Sequence, residues 1–214
     1  VFTFHRKVTG GNPSVPAVKE DPIASEKQYE LTSSPVRKLS LELYDVGRDE
    51  SSRDTFHAAQ GGRVYHAVLV VRVLMKIEWT GSWTDNRKRD RIVEIEDAFK
   101  AWGGHYRLEG GTGDIRDIYI HFLPGFYASS DGDTESDKHY DVELTRGAET
   151  AISTGFWDSS DLEVSRVITG AQLVDYFFNR ASGQTGEQAL HFLADWADGR
   201  LPGTFTLHSW GGPP

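Results

Sequence analysis

The stretch from Arg63 to Trp79 constrains the fold more than any other part of the chain. Tyr65, Ala67, Leu69, Val71, Val73, Met75, Ile77 and Trp79 recur at every second position, and only an extended strand places alternate residues on one face. The other face opens with Val64, Val68 and Val70 and closes with Arg72, Lys76 and Glu78. A long, bent strand is predicted, covered on both faces at its start and wet on one face at its end.

Other segments supply its neighbours. Leu39, Leu41 and Leu43 alternate with Lys38, Ser40 and Glu42, which predicts a half-buried strand over 36–46. Thr84 or Asp85 caps a helix running to Trp102, whose Ile92, Ile95, Phe99 and Trp102 repeat at helical spacing before Gly103 and Gly104 end it. Further strands are expected over 105–108, 115–123, 139–145 and 204–210. Two Thr-x-x-Gln boxes, Thr169/Gln172 and Thr185/Gln188, each open an amphipathic run that ends at glycine, Gly183 and Gly199. They predict a helical hairpin in which Leu173, Val174, Phe177 and Phe178 face Ala189, Leu190, Leu193, Trp196 and Ala197. The expectation is an α+β protein: a mostly antiparallel twisted sheet, packed by one long helix, with a C-terminal helical hairpin.

Residues 1–35 hold four of the eight prolines and read as an extended arm, leaving 36–214 as a single domain. The segments 47–62 and 128–138 read as long polar connections.

Composition removes several function classes. A net charge of -9 opposes broad contact with a phosphate backbone, so no nucleic-acid partner is expected. The cluster Arg87, Lys88, Arg89 and Arg91 is followed by Glu94, Glu96 and Asp97, as on a solvated helix face. The longest apolar run, Ala67 to Val71, falls far short of the ~20 residues of a membrane span. The start of the sequence carries no pattern of an intact secretory signal. With no cysteine, there is no disulfide, thiolate nucleophile or cysteine-built metal site.

Candidate chemistry is sparse. Asp131, Asp133, Glu135 and Asp137 alternate like the opening of a calcium loop. The sixth and twelfth places hold Ser136 and Val142 where an EF-hand needs Gly and Glu, so a solvated loop is preferred and calcium is the cofactor to test. Asp117, His121, His139 and Asp141 lie on or beside neighbouring predicted strands and are the candidates for acid–base work. His191 and Asp195 are spaced for a helix-surface hydrogen bond. Gly110-Gly111-Thr112-Gly113 lacks the lysine of a phosphate loop and reads as a turn. Trp83, Trp157 and Trp210 are the aromatics for a sugar-stacking platform.

The segments Lys76-Ile77-Glu78-Trp79-Thr80, Trp83-Thr84-Asp85, Ala101-Trp102-Gly103-Gly104-His105-Tyr106-Arg107-Leu108 and Ile118-Tyr119-Ile120-His121-Phe122 carry a resemblance. Over about 64–146 their order resembles the zincin-like domain that accompanies bacterial extracellular contractile injection systems. In catalytic members a later helix carries His-Glu-x-x-His, which binds zinc and supplies a general base. The corresponding stretch here, Thr169 to Arg180, has no histidine, so no catalytic residue carries over. The resemblance implies a cargo, effector or structural protein of a bacterial injection or toxin system, with a protein partner, residing in the cytoplasm or packaged for export. Two alternatives stand beside it. One is a hydrolase or transferase whose Asp117, His121, Asp131, Asp133, His139 and Asp141 meet at a sheet edge, and the other is a carbohydrate-binding module.

Overall fold

A computed structural model describes residues 22–31, 37–46, 64–103, 105–126, 139–145, 161–162, 170–178, 180 and 183–209. In chain order the strands are β1 (Ala24–Leu31), β2 (Arg37–Asp45), β3 (Ala67–Thr80), β4 (Tyr106–Gly110), β5 (Ile118–Phe126), β6 (Tyr140–Thr145), β7 (Asp161–Leu162) and β8 (Phe205–Ser209). The helices are α1 (Asp85–Trp102), α2 (Gly170–Phe177), α3 (Gly186–Leu190) and α4 (Phe192–Asp198). All eight strands join one sheet, ordered β1-β2-β3-β5-β4-β8, with β6 also on β3 and β7 on β6.

The alternation along β3 places Leu69, Val71, Val73 and Met75 in the main core and Val68 and Val70 on the other face, all with no exposed surface. The main core takes up Leu39, Leu41 and Leu43 of β2 and Ile118, Ile120 and Phe122 of β5. On that face lies α1, capped by Thr84, whose side chain accepts the Arg87 N–H, with Ile95, Phe99 and Trp102 buried. Phe99 and Trp102 meet Phe178 at ring separations of 6.1 and 5.1 Å. A smaller cluster of Tyr44, Val46, Tyr65, Val68, Val70 and Tyr119 occupies the opposite face.

Three expectations are corrected. The sheet is mixed rather than mostly antiparallel, because β3 pairs in parallel with both β5 and β6. The chain between β3 and β5 contains α1 and β4, a crossover long enough to bring β5 in along the direction of β3. Second, α1 does not pack the sheet alone, since residues of α2, α3 and α4 fill the same core. Third, the C-terminal helices are not a mutually packed hairpin: α2 lies against α1 and β2, whereas α3 and α4 lie against β8. Leu173, Val174, Phe177 and Phe178 are fully buried, but through α1 rather than through α4. The box at Thr185 forms both of its hydrogen bonds, while Thr169 lies outside the described residues.

Part of the arm read over 1–35 is β1, which runs antiparallel to β2. Its sequence alternates weakly because most of its side chains are exposed or half-buried. Residues 47–62 and 128–138 lie outside the described residues.

Candidate functional site

Among the described residues, buried polar side chains gather where β3 changes partners. β2 pairs with β3 up to Arg72, and β6 takes over from Met75. Leu74 falls between, and His139, the residue before β6, closes the gap. The His139 N–H donates to the Leu74 carbonyl at 2.9 Å, and the Leu74 N–H donates to His139 Nδ1 at 2.8 Å. On the ring's far side, Nε2 lies 2.8 Å from the Lys27 carbonyl and 3.1 Å from Ser40 Oγ.

A β-bulge makes this joint. Glu26 stands opposite Leu41 and Tyr29 opposite Leu39, so Lys27 and Gln28 together face Ser40. The extra residue re-aims the chain there, and the Lys27 carbonyl accepts from the Ser40 hydroxyl at 2.8 Å. Around the joint, the Lys38 N–H donates to the Tyr140 hydroxyl at 2.6 Å, and burial holds that phenol well above the usual tyrosine range. Arg37 donates to the Tyr176 carbonyl at 2.7 Å and stacks over its ring at 4.0 Å.

A buried serine touching a histidine resembles a nucleophile with its base, but the proton arrangement is the wrong one. In an acyl-transfer pair the serine O–H donates to Nε2 and the Nδ1–H donates to an orienting acceptor. Here Nδ1 accepts from a main-chain amide, so the neutral ring carries its proton on Nε2 and donates toward Lys27 and Ser40. Nε2 then has no lone pair for the Ser40 proton. Ser40 and His139 are 7% and 4% exposed, so a substrate does not reach them either. The group is a clasp joining β1, β2, β3 and β6.

Of the other candidates, Asp117 and His121 are described and are not assembled around it. Asp117 precedes β5, its carbonyl accepting from the His66 N–H at 3.0 Å. His121 lies four residues on, about 13 Å along an extended chain. Its register partner is Val70, and burial lowers its pKa to about 4. Between them Tyr119, in edge contact with Tyr65 at 5.4 Å, is pushed up to about 12 by burial. β5 occupies one edge of β3 and His139 the other, so Asp117 and His121 are separated from His139 by β3 itself. Asp141 pairs in register with Lys76 and Asp161. Asp131, Asp133, Glu135 and Asp137, and with them the calcium reading, lie outside the described residues. Among the described residues, no three His, Asp or Glu side chains converge as a metal group.

Trp83 is a packing residue. Its indole N–H donates to the Leu144 carbonyl at 3.0 Å, and its ring meets Trp79 edge-on at 4.9 Å. Trp157 and Trp210 lie outside the described residues. His191 and Asp195 are 3.5 Å apart on the surface. Gly110 to Thr112 fold against the turn before β8, with Gly111 and Thr112 N–H donating to the Thr204 and Pro202 carbonyls at 3.0 and 2.8 Å. A Cβ on Gly110 would lie 2.1 Å from the Thr204 oxygen, which accounts for that glycine by close approach.

No family model, curated protein or solved structure matches this chain. Its chemistry therefore rests on its own residues. Sequence reasoning missed Ser40, which reads as the polar position of an alternating strand and lies 99 residues from His139. It also missed Glu109, which holds Arg107 at 2.7 Å and His208 at 3.3 Å across β4 and β8. Only the β4–β8 register, Arg107 opposite His208, brings those three together.

Proposed function

We propose that this protein works through protein contacts rather than by catalysis, as a cargo, effector or structural component of a bacterial injection or toxin system. The observation that carries the non-catalytic half is the direction of the hydrogen bonds at His139. A ring whose Nδ1 accepts from Leu74 cannot serve Ser40 as a base. The separation of Asp117 and His121 from His139 supports the same reading.

The setting rests on the resemblance over 64–146 and on the absence of His-Glu-x-x-His from Thr169 to Arg180. On that resemblance, a chain without the zinc ligands would share the domain's strand and helix order but not its zinc chemistry. Quantitative mass spectrometry of purified injection particles from the source cells tests this. The protein is expected to co-purify at a fixed ratio to the particle subunits. Its absence from particles, with recovery in the soluble fraction alone, overturns the assignment.

A further inference from the structure

We propose that the His139 clasp makes the joint between β6 and the rest of the sheet an acid-sensitive release point. The inference does not depend on the functional setting proposed above. It rests on four contacts of one buried ring: the paired bonds to Leu74 at 2.9 and 2.8 Å, and Nε2 at 2.8 Å from the Lys27 carbonyl and 3.1 Å from Ser40.

An imidazolium has a donor at both nitrogens. Protonation at Nδ1 would set an N–H against the Leu74 N–H, which belongs to the main chain of a central strand and cannot turn away. The ring must then leave, or Leu74 must lose its partner in a buried place, and either outcome breaks the joint. Among the described residues, Lys27, Lys38 and Arg72 are cations on the strands beside the joint, Lys38 paired with Glu30 at 3.3 Å, and Tyr140 is next in the chain. Of the described carboxylates there, Glu26 accepts from Trp196 and Arg200, and Glu42 accepts from the Tyr44 hydroxyl.

The consequence reaches past one ring. Beyond Met75, β6 is the strand paired with β3 among the described residues, and β7 pairs with β6. Tyr140, Val142 and Leu144 enter the main core from this strand. Loss of the joint loosens β6 and exposes core.

A histidine freed into water takes up its proton near pH 6.5, whereas the clasped ring excludes it. The closed form is favoured above that value and loses ground as pH falls. Between pH 8 and pH 5 the open-to-closed ratio should rise by about 30-fold.

The test is hydrogen exchange of the full chain, corrected for intrinsic rates, followed in peptides covering 139–145. Uptake should rise at pH 5 in the wild type and rise several-fold less in His139→Asn, whose Oδ1 accepts from Leu74 but does not titrate. Equal protection of 139–145 at both pH values overturns the proposal, as does an equal acid response in the variant. Nitrogen NMR of the wild type gives a second reading that needs no variant. In the folded protein at pH 8 the His139 ring should be the neutral form with its proton on Nε2. A ring carrying its proton on Nδ1 at pH 8 overturns it.

Discussion

The indole N–H of Trp196 donates to the carboxylate of Glu26 at 3.0 Å, although 170 residues separate the two. Arg200 pairs with the same carboxylate and stacks over the Trp196 ring at 4.5 Å. α4 is thereby held to β1, while its Asp198 accepts the Phe205 N–H of β8 at 2.6 Å. One short helix contacts both outer strands of the path from β1 to β8, which draws the sheet into a curl around the main core.

Glu26→Ala should therefore weaken the closure. The group is part-exposed and its ion pair is screened, so the loss should be about 1 kcal/mol rather than that of a buried pair. Urea unfolding of Glu26→Ala, Trp196→Phe and the double variant measures it. The double variant should lose less than the sum of the single ones, because both remove the same hydrogen bond.

His121 predicts a pH dependence of stability. Burial lowers its folded pKa to about 4 from an ordinary 6.5, so the unfolded chain binds the proton more tightly. Its contribution is fully present above pH ~6.5 and is lost as pH falls through ~4, up to about 3 kcal/mol. Urea midpoints across this range should fall more steeply in the wild type than in His121→Gln, and parallel profiles would remove His121 from the account.

Phe177 is fully buried between α1 and β6, with ring separations of 6.4 Å to Phe99 and 4.8 Å to Tyr140. Phe177→Ala should cost ~3–5 kcal/mol through the cavity left behind. Gln188→Ala, which removes only the cap bond from the Thr185 N–H at 2.9 Å, should cost less than ~1 kcal/mol. Thermal unfolding of the two variants separates core from rim, and a Phe177→Ala protein melting with the wild type would contradict the packing.

These elements also mark what was legible in the sequence. Strand β3, helix α1 and the Thr185 box are local, set by alternation, helical spacing and cap chemistry within a few residues, and sequence displays such patterns directly. Strand order is not local. Nothing between Ala67 and Phe126 states that β5 runs parallel to β3, and the partner of α2 is not legible because amphipathic faces do not name what covers them. The clasp was hidden twice over. Ser40 and His139 are distant in sequence, and the bulge at Lys27 that turns a carbonyl toward them leaves no residue signature.

Gly186 predicts a rescue. A Cβ at this position would lie 1.8 Å from the Tyr106 hydroxyl oxygen, so the first turn of α3 is built over that phenol. Gly186→Ala should destabilise by ~1–3 kcal/mol through overpacking. Adding Tyr106→Phe removes the clashing atom and should recover part of the loss. If the double variant is no more stable than Gly186→Ala, the hydroxyl is not what the glycine accommodates.

Ser40 and His139 form framework and not a catalytic pair. Mass spectrometry after treatment of the folded protein with a serine-directed fluorophosphonate tests it most directly. The hydrogen-bond directions and the 7% exposure of Ser40 predict no adduct at that residue under conditions that fully label an active serine hydrolase. Labelling of Ser40 in the wild type that disappears in His139→Asn would contradict the account.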